Sequence, residues 1–198
     1  MNIVFDLGGV VFHWNPKQII EDVFEDLEIQ EKIMAEVFRH DDWILLDKGL
    51  LDNNDAIHRA AARTGASPAD ISRLMNNVPH ALIPNEETLA LIKHIKSHNE
   101  HKLYVLSNMH TASINHLERQ YSCWDLFDGQ VYSCRVRMAK PELGIYQYLL
   151  KSYNLNPQET VFIDDMQENL TAAANVGIQT IQFINPQQCE RNLSKFFS

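Results

Sequence analysis

The chain is poor in basic residues: 17 Lys and Arg stand against 26 Asp and Glu, which gives a formal net charge of −9. This balance argues against nucleic acid or an anionic membrane surface as a partner, because both attract positive charge. No apolar run approaches the about 20 residues that a bilayer-spanning helix needs. The first predicted strand begins at residue 2, which leaves no room for a cleavable signal peptide. We therefore expect a cytoplasmic protein.

Cysteine is also scarce. The three cysteines, Cys123, Cys134 and Cys189, are odd in number, widely spaced and not arranged as metal-ligand pairs. We interpret them as reduced thiols in a reducing compartment. The 198 residues contain no internal repeat and no low-complexity segment. Their number suits one domain, or one domain with a moderate insertion.

Five short runs have the composition of β-strands: 2–6, 102–107, 129–133, 160–164 and 179–184. Helical patterns separate the later runs, which predicts parallel pairing and an α/β fold with a Rossmann-like sheet. About 90 residues separate the first two runs, far more than a crossover connection needs. Most of this stretch has helical patterns, at 16–26, 29–39, 53–64, 68–77 and 85–99. We predict a core formed by 1–13 and 84–198, with 14–83 inserted as a helical cap.

Polar residues stand where the predicted strands end. Asp6 follows the first run and precedes Gly8 and Gly9, Ser107-Asn108 end the second, and Asp164-Asp165 end the fourth. Lys140 comes from a loop. Open α/β sheets bind ligands at the carboxyl ends of their strands. Carboxylates, a hydroxyl and a lysine at this edge are difficult to explain as structure alone.

Four segments in this order are FDLGGV at 5–10, LSN at 106–108, KPE at 140–142 and FIDD at 162–165. They resemble the four ordered motifs of the haloacid dehalogenase superfamily, and the resemblance spans essentially the whole chain. The inserted cap lies where one large branch carries it. The turn at 47–50 and Asn169 resemble the branch of bacterial α-glucose-1-phosphate phosphatases and the amino-terminal phosphatase domain of soluble epoxide hydrolase.

The resemblance implies a role for each motif. Asp6 would be the nucleophile that forms an aspartyl-phosphate. Ser107, Asn108 and Lys140 would hold the phosphoryl group, and Lys140 would also neutralise its charge. Mg²⁺ would be bound by Asp6, Asp165 and the main-chain carbonyl of Gly8, with Asp164 behind them. The metal and the lysine would balance three carboxylates that otherwise repel by roughly 4 kcal/mol per pair.

Gly8 departs from the hydrolytic members of the superfamily, which usually carry a second Asp at this position. That Asp protonates the leaving oxygen and then activates water, a contribution of about 10²–10⁴ in rate. A sugar 1-phosphate tolerates the loss better, because its anomeric oxygen is a good leaving group. His13 and His110 are candidate substitute acids.

The segment 39–43 is predicted to interrupt the helical run and to place Trp43 over the cleft as a substrate-binding residue. The alternative is that Trp43 packs inside the cap. Arg135 and Arg137 are predicted to be exposed, and His94, His98 and His101 to lie on solvated surface rather than to bind zinc.

These features predict a Mg²⁺-dependent phosphatase for a small phosphorylated metabolite, in particular a sugar phosphate such as glucose 1-phosphate. We expect a monomer or a weak homodimer. One alternative is dehalogenation, which needs no metal and leaves the Asp164-Asp165 pair unexplained. The other is a non-catalytic module that binds phosphate and metal, an alternative that the missing acid at Gly8 motivates.

Overall fold

The computed structural model describes residues 1–98 and 100–196. Five parallel strands form a single sheet in the order β3-β2-β1-β4-β5. The strands are β1 (Asn2–Phe5), β2 (Lys102–Ser107), β3 (Gly129–Tyr132), β4 (Thr160–Asp164) and β5 (Gln179–Gln182). The predicted α/β fold with a Rossmann-like sheet is confirmed. Because β1 lies at the centre, the ends of β2 and β4 flank the residue that follows β1.

The helices occupy the connections between strands and the long stretch after β1. They are α1 (Pro16–Glu21), α2 (Leu27–Ile33), α3 (Asp41–Asp47), α4 (Asn53–Thr64), α5 (Pro68–Ala81), α6 (Glu86–Ser97), α7 (Thr111–Gln120), α8 (Ser133–Val136), α9 (Leu143–Ser152), α10 (Gln167–Asn175) and α11 (Pro186–Leu193). A π-helical segment, Met34–Phe38, continues α2. Three short 3₁₀ turns lie at Cys123–Leu126, Pro157–Glu159 and Ser194–Phe196.

Several predicted helix bounds were wrong, each for a local reason. Residues 39 and 40 interrupt the helical run as predicted, but 41–43 belong to α3. The His40 side chain accepts a hydrogen bond from the Asp42 N–H and caps the helix start. Helix α5 continues past Pro79 to Ala81. Helix α1 ends at Glu21 instead of residue 26. The prediction for 85–99 also includes residue 99, which lies outside the described residues.

Both faces of the sheet are buried, as the near-continuous apolar strands require. Successive side chains of β1 alternate between the faces. Ile3 and Phe5 pack in one cluster with residues of α6 and α11, whereas Val4 packs in another with residues of α9 and α10. The sheet is therefore held firmly between two layers of helices.

A third apolar cluster is formed by buried residues between 19 and 78. It belongs to the stretch predicted as the cap, residues 14–83; the division into two domains remains a prediction. The turn after α3 contacts the core. The Ser133 hydroxyl donates a hydrogen bond to the Asp47 carbonyl at 2.5 Å, and Lys48 pairs with Glu142. Among the described residues, no helix combines the length and the apolar character needed to cross a membrane.

Candidate active site

Asp6 follows the central strand β1, and its backbone N–H donates to the Ile163 carbonyl of β4 at 2.9 Å. One carboxylate oxygen, Oδ1, accepts the Leu7 N–H at 2.7 Å, and the other, Oδ2, lies 2.8 Å from Lys140 Nζ. Only 7% of the residue is exposed. Burial raises the pKa of Asp6 to about 7, although Lys140 acts in the opposite direction. A buried carboxylate beside a cation is well placed to act on an anionic ligand.

Lys140 joins two carboxylates beneath this edge of the sheet. Its Nζ lies 2.7 Å from Asp164 Oδ2 as well as 2.8 Å from Asp6. Burial alone would lower the pKa of Lys140, but the charges of Asp6 and Asp164 raise it above its ordinary value. The Asn108 amide fixes the lysine backbone from both sides, since it accepts from the Lys140 N–H at 2.8 Å and donates to its carbonyl at 2.9 Å.

Asp164 is completely buried and serves as an internal acceptor. Its oxygens accept from Lys140 Nζ, from the Met166 N–H at 2.8 Å and from the Asn169 amide at 3.0 Å. Asp165, in contrast, is exposed. Burial of part of its carboxyl and the charge of Asp164 raise the pKa of Asp165. Asp164 therefore fixes the neighbouring groups from a buried position, whereas the Asp165 carboxylate is exposed to the cavity.

The carboxylates of Asp6, Asp164 and Asp165 offer oxygens that all lie within 4.8 Å of one another. Hard divalent cations prefer such oxygen donors, and Mg²⁺ is usually bound by one or two protein carboxylates. Because Asp164 is already occupied by several donors, Asp6 and Asp165 fit the role of direct ligands. The donor set fits Mg²⁺ on this basis.

A cavity of ≈ 600 Å³ opens above these groups. Its floor includes Asp6, Gly8, Asn108, Lys140 and Asp165. Its remaining wall comes largely from the cap and is predominantly apolar, with Trp14, Pro16, Met34, Phe38, Trp43, Ile44, Val78 and Leu82 among the lining residues. The cavity thus combines a polar floor with a cap wall that is mainly apolar but also includes Asn15, Lys17, Arg39 and Asp47. Its volume suits a small-molecule ligand.

Residues 1–177 match the family model described as haloacid dehalogenase-like hydrolase. The chain belongs to this family. The predicted superfamily and the predicted enzyme class, a hydrolase, are confirmed by this match.

Two relatives and one solved structure are similar to this haloacid dehalogenase-like hydrolase. The sesquiterpene phosphatase astK of Aspergillus oryzae is 28% identical over 175 residues, 88% of this chain and 85% of that protein. The bifunctional epoxide hydrolase 2 of Mus musculus is 42% identical over 69 residues, 35% of this chain and 12% of that protein, which supports the predicted branch. A family enzyme from Bacteroides thetaiotaomicron, crystallised with magnesium and inorganic phosphate, is 25% identical with a TM-score of 0.67 and covers 91% of this chain and 92% of its own.

Within this haloacid dehalogenase-like site, Ser107 lies deeper than its neighbours. It is fully buried. Burial raises the pKa of Asp6, and the nearby Ser107 hydroxyl has a smaller, lowering effect on it. Asn108 lines the cavity, whereas Ser107 is not among the lining residues. The structure therefore brings Ser107 next to Asp6, and direct contact with a phosphate remains a prediction for it.

Trp43 fits both alternatives that the sequence left open, a position over the cleft and packing inside the cap. It lines the cavity and also packs against the apolar cluster of the cap. Its ring centroid lies 4.5 Å from that of Phe38, 6.0 Å from that of Trp14 and 4.3 Å from that of His110. These four rings form an aromatic wall opposite the polar floor.

Other predicted residues lie away from the cavity. His13 is exposed and is not among the lining residues. Arg135 is exposed and pairs with Glu118 at 2.6 Å, and Arg137 is also exposed. His94 on α6 and His98 just after it are exposed, as predicted, whereas His101 is half-buried. None of these residues adds a group to the site.

The sequence did not identify Asp47 as a site residue, yet it lines the cavity together with His110. Asp47 Oδ1 lies 3.1 Å from His110 Nε2, and the two residues are 7% and 8% exposed. The contact is close, but its angles do not suit a hydrogen bond, and Nε2 has no hydrogen-bond partner among the described residues. The sequence signal was limited to the Asp47-Lys48-Gly49 turn, which marks a family branch and not a function.

Proposed function

We propose that this chain is a Mg²⁺-dependent phosphatase that hydrolyses a small phosphate monoester with an apolar organic group. The observation that carries the proposal is the Lys140 ammonium, which lies 2.8 Å from Asp6 and 2.7 Å from Asp164 on the floor of a cavity whose cap wall is mainly apolar. This arrangement offers a nucleophile and a fixed positive charge at one point.

In this proposal a carboxylate oxygen of Asp6 attacks the phosphorus, and the bond from phosphorus to the ester oxygen breaks. Water then attacks the aspartyl-phosphate, which releases inorganic phosphate and restores the Asp6 carboxylate. Lys140 neutralises charge on the phosphoryl oxygens, and Asn108 keeps the lysine in place. Mg²⁺ would be bound by Asp6, Asp165 and the Gly8 carbonyl, where it would supply further positive charge for the phosphoryl group.

The apolar end of the cavity supports an apolar substrate over the predicted sugar phosphate. A sugar needs hydrogen-bond partners for several hydroxyls, whereas the cap contributes mainly aromatic and aliphatic side chains to the wall. The similarity to a sesquiterpene phosphatase points in the same direction. Glucose 1-phosphate finds no corresponding support. An isoprenoid monophosphate therefore fits the proposal best.

A panel of phosphate esters tests the proposal. We expect inorganic phosphate release from farnesyl phosphate with Mg²⁺, much less from glucose 1-phosphate, and none in EDTA. Chloride release from a 2-haloacid in EDTA would instead indicate dehalogenation. If only Gly8→Asp were active, the native chain would be a binding module; a Cβ at this position meets nothing closer than Trp14 Cβ at 3.8 Å, so the variant is expected to fold.

Gly9→Ala should weaken metal binding. Gly9 has φ +79°, and an added Cβ would lie 2.6 Å from Asp165 Oδ2, so the carboxylate must move. Disturbing a group that orients a metal ligand typically costs 10- to 100-fold in affinity. We expect the Mg²⁺ concentration for half-maximal activity to rise about tenfold or more.

Gly65→Ala is the matched control for Gly9→Ala. Gly65 has φ +78°, and an added Cβ would meet no atom within 4 Å. Both variants should lose about 1–2 kcal/mol of stability from the left-handed backbone alone. Equal Mg²⁺ dependence in the two variants would contradict the assignment of Asp165 to the metal.

Trp43→Ala should change substrate preference. Removing the ring takes away apolar surface worth about 1.5–3 kcal/mol, or roughly 10- to 100-fold in kcat/KM. We expect this loss for farnesyl phosphate and a much smaller one for a short-chain phosphate such as isopentenyl phosphate. Trp124→Ala is the control, since Trp124 packs in the core and is not among the cavity residues. An equal loss on both substrates in Trp43→Ala would contradict the binding role.

A further inference from the structure

The proposed reaction needs a proton transfer at two points, and position 8 has no group that could carry out either. When the bond from phosphorus to the ester oxygen breaks, the departing alkoxide must gain a proton. When water attacks the aspartyl-phosphate, it must lose one. Gly8 has no side chain that could serve either step, and a side chain there would extend towards Trp14 in the cavity wall. An acid at this end of the cavity has to come from another part of the chain.

The described residues of the cavity wall include one carboxyl group from the cap, that of Asp47. It is buried, and its Oδ1 lies 3.1 Å from His110 Nε2, which is itself buried without a hydrogen-bond partner among the described residues. The two residues come from different elements: Asp47 ends α3, and His110 precedes α7 after β2. Two polar groups buried face to face in an aromatic wall are costly unless they serve a purpose.

The Ser133 hydroxyl joins the backbone of Asp47 to that of Met109, which precedes His110. Ser133 Oγ donates to the Asp47 carbonyl at 2.5 Å and accepts the Met109 N–H at 2.8 Å. Trp43, one turn before Asp47 on α3, lies against the His110 ring with centroids 4.3 Å apart. These contacts fix the Asp47 backbone and the His110 ring, and the Asp47 carboxyl lies against that ring at 3.1 Å. A proton-transfer group needs such positioning.

We propose that Asp47, which packs against His110, donates the proton to the leaving oxygen and then accepts one from the attacking water. In the first step the proton passes from the Asp47 carboxyl to the alkoxide, which leaves as an alcohol. In the second step the proton passes from water to the Asp47 carboxylate, and the hydroxide oxygen bonds to phosphorus as the bond to Asp6 breaks. Asp47 is the catalytic residue, and His110 is a positioning residue.

The electrostatic surroundings agree with this role. Burial raises the pKa of Asp47 to about 8, with Lys140 opposing and Asp6 reinforcing the shift. Burial lowers the pKa of His110 to about 4, so the imidazole is neutral beside a protonated carboxyl. Cys134 also interacts electrostatically with Asp47, and its thiol pKa is raised, first by burial. A carboxyl group that keeps its proton near neutral pH can act as a general acid.

The inference rests on the proposed phosphatase function. The two can be tested separately by comparing substrates whose leaving groups do and do not need a proton. The p-nitrophenolate ion leaves without a proton, whereas an alkoxide needs one. We expect Asp47→Asn to slow the first turnover of farnesyl phosphate about 100-fold or more, and that of p-nitrophenyl phosphate by less than about threefold. His110→Gln should show the same selectivity with a smaller loss, about tenfold, because it acts through Asp47.

Asp42→Asn is the matched control. Asp42 is a buried carboxylate on the same helix, but it pairs with Arg63 at 2.7 Å and is not among the cavity residues. Its substitution should leave the ratio of the two rates unchanged. An equal loss on both substrates in Asp47→Asn, or full activity on farnesyl phosphate, would overturn the inference while leaving the phosphatase function intact.

The native protein provides a test that does not depend on the folding of any variant. Across a series of aryl and alkyl phosphates, protonation of the leaving oxygen predicts a first-turnover rate that depends weakly on the pKa of the leaving alcohol. A steep dependence would overturn the inference. If the native protein hydrolyses no ester with Mg²⁺, the proposed function itself fails. This outcome differs from a weak or a steep dependence on the leaving group, since either of those requires hydrolysis.

Discussion

Asp6→Asn should abolish phosphate release, with a fall in kcat of about 10⁴-fold or more, as is found when an enzyme loses its nucleophile. The amide oxygen carries no charge and cannot form the acyl-phosphate. The variant should remain folded, because the single amide oxygen of Asn can still accept from the Leu7 N–H at the position of Oδ1, and Lys140 keeps its pairing with Asp164 at 2.7 Å. The measurement is phosphate release from farnesyl phosphate with Mg²⁺, together with the urea unfolding midpoint.

Asp128→Asn is the control for this substitution. Asp128 pairs with Lys96 at 2.7 Å and Lys102 at 3.1 Å at the start of β2, and it is not among the cavity residues. Its loss should leave kcat within about threefold of the native value, because Asp128 lies outside the cavity lining. Native activity in Asp6→Asn would exclude Asp6 as the nucleophile.

Lys140→Met should be the most destabilising substitution in the site. It leaves Asp6 and Asp164 buried without the cation that lies within 2.8 Å of both. Removing one partner from a buried ion pair typically costs about 3–5 kcal/mol. We expect a loss of this size in the free energy of unfolding, measured with urea in EDTA near neutral pH, together with loss of phosphatase activity.

The pH dependence of this loss has a defined sign. Burial raises the pKa of Asp6 and Lys140 lowers it, so loss of Lys140 raises the folded-state pKa of Asp6 further above that of the unfolded chain. The penalty therefore grows as the pH rises above about 4 and shrinks as Asp6 gains a proton at lower pH. Lys96→Met, which removes one partner of the partly exposed Lys96–Asp128 pair, should cost about 1 kcal/mol or less. An equal loss in the free energy of unfolding of the two variants would contradict the claim that Lys140 stabilises two buried carboxylates.

The sequence predicted the sheet and the convergence of Asp6, Asp164 and Asp165 because these features follow from local rules. Apolar runs mark buried strands, and the carboxyl ends of parallel strands meet at one edge. The role of Lys140 came from the family resemblance, since a lysine before a proline in a loop has no local signal. Its clamp by the Asn108 amide joins two distant loops and has no counterpart in the sequence pattern.

The cap was harder to predict for a physical reason. The polar run at 39–42 suits both a loop and the first turn of a helix, because Asp side chains cap helices and also stabilise turns. The structure places Asp41 and Asp42 in the first turn of α3, and this choice determines the positions of Trp43 and Asp47. The contact between Asp47 and His110 depends on how the cap packs on the core, which no local pattern specifies.

The most direct test of the account is to look for the covalent intermediate on Asp6. Native protein in excess over farnesyl phosphate, with Mg²⁺, is quenched in acid during the first turnover and digested, and the peptide that contains Asp6 is weighed by mass spectrometry. We predict a fraction that carries one phosphoryl group, labile to hydroxylamine and absent from Asp6→Asn. Release of phosphate through the first turnover with this peptide unmodified at every time point would contradict the account.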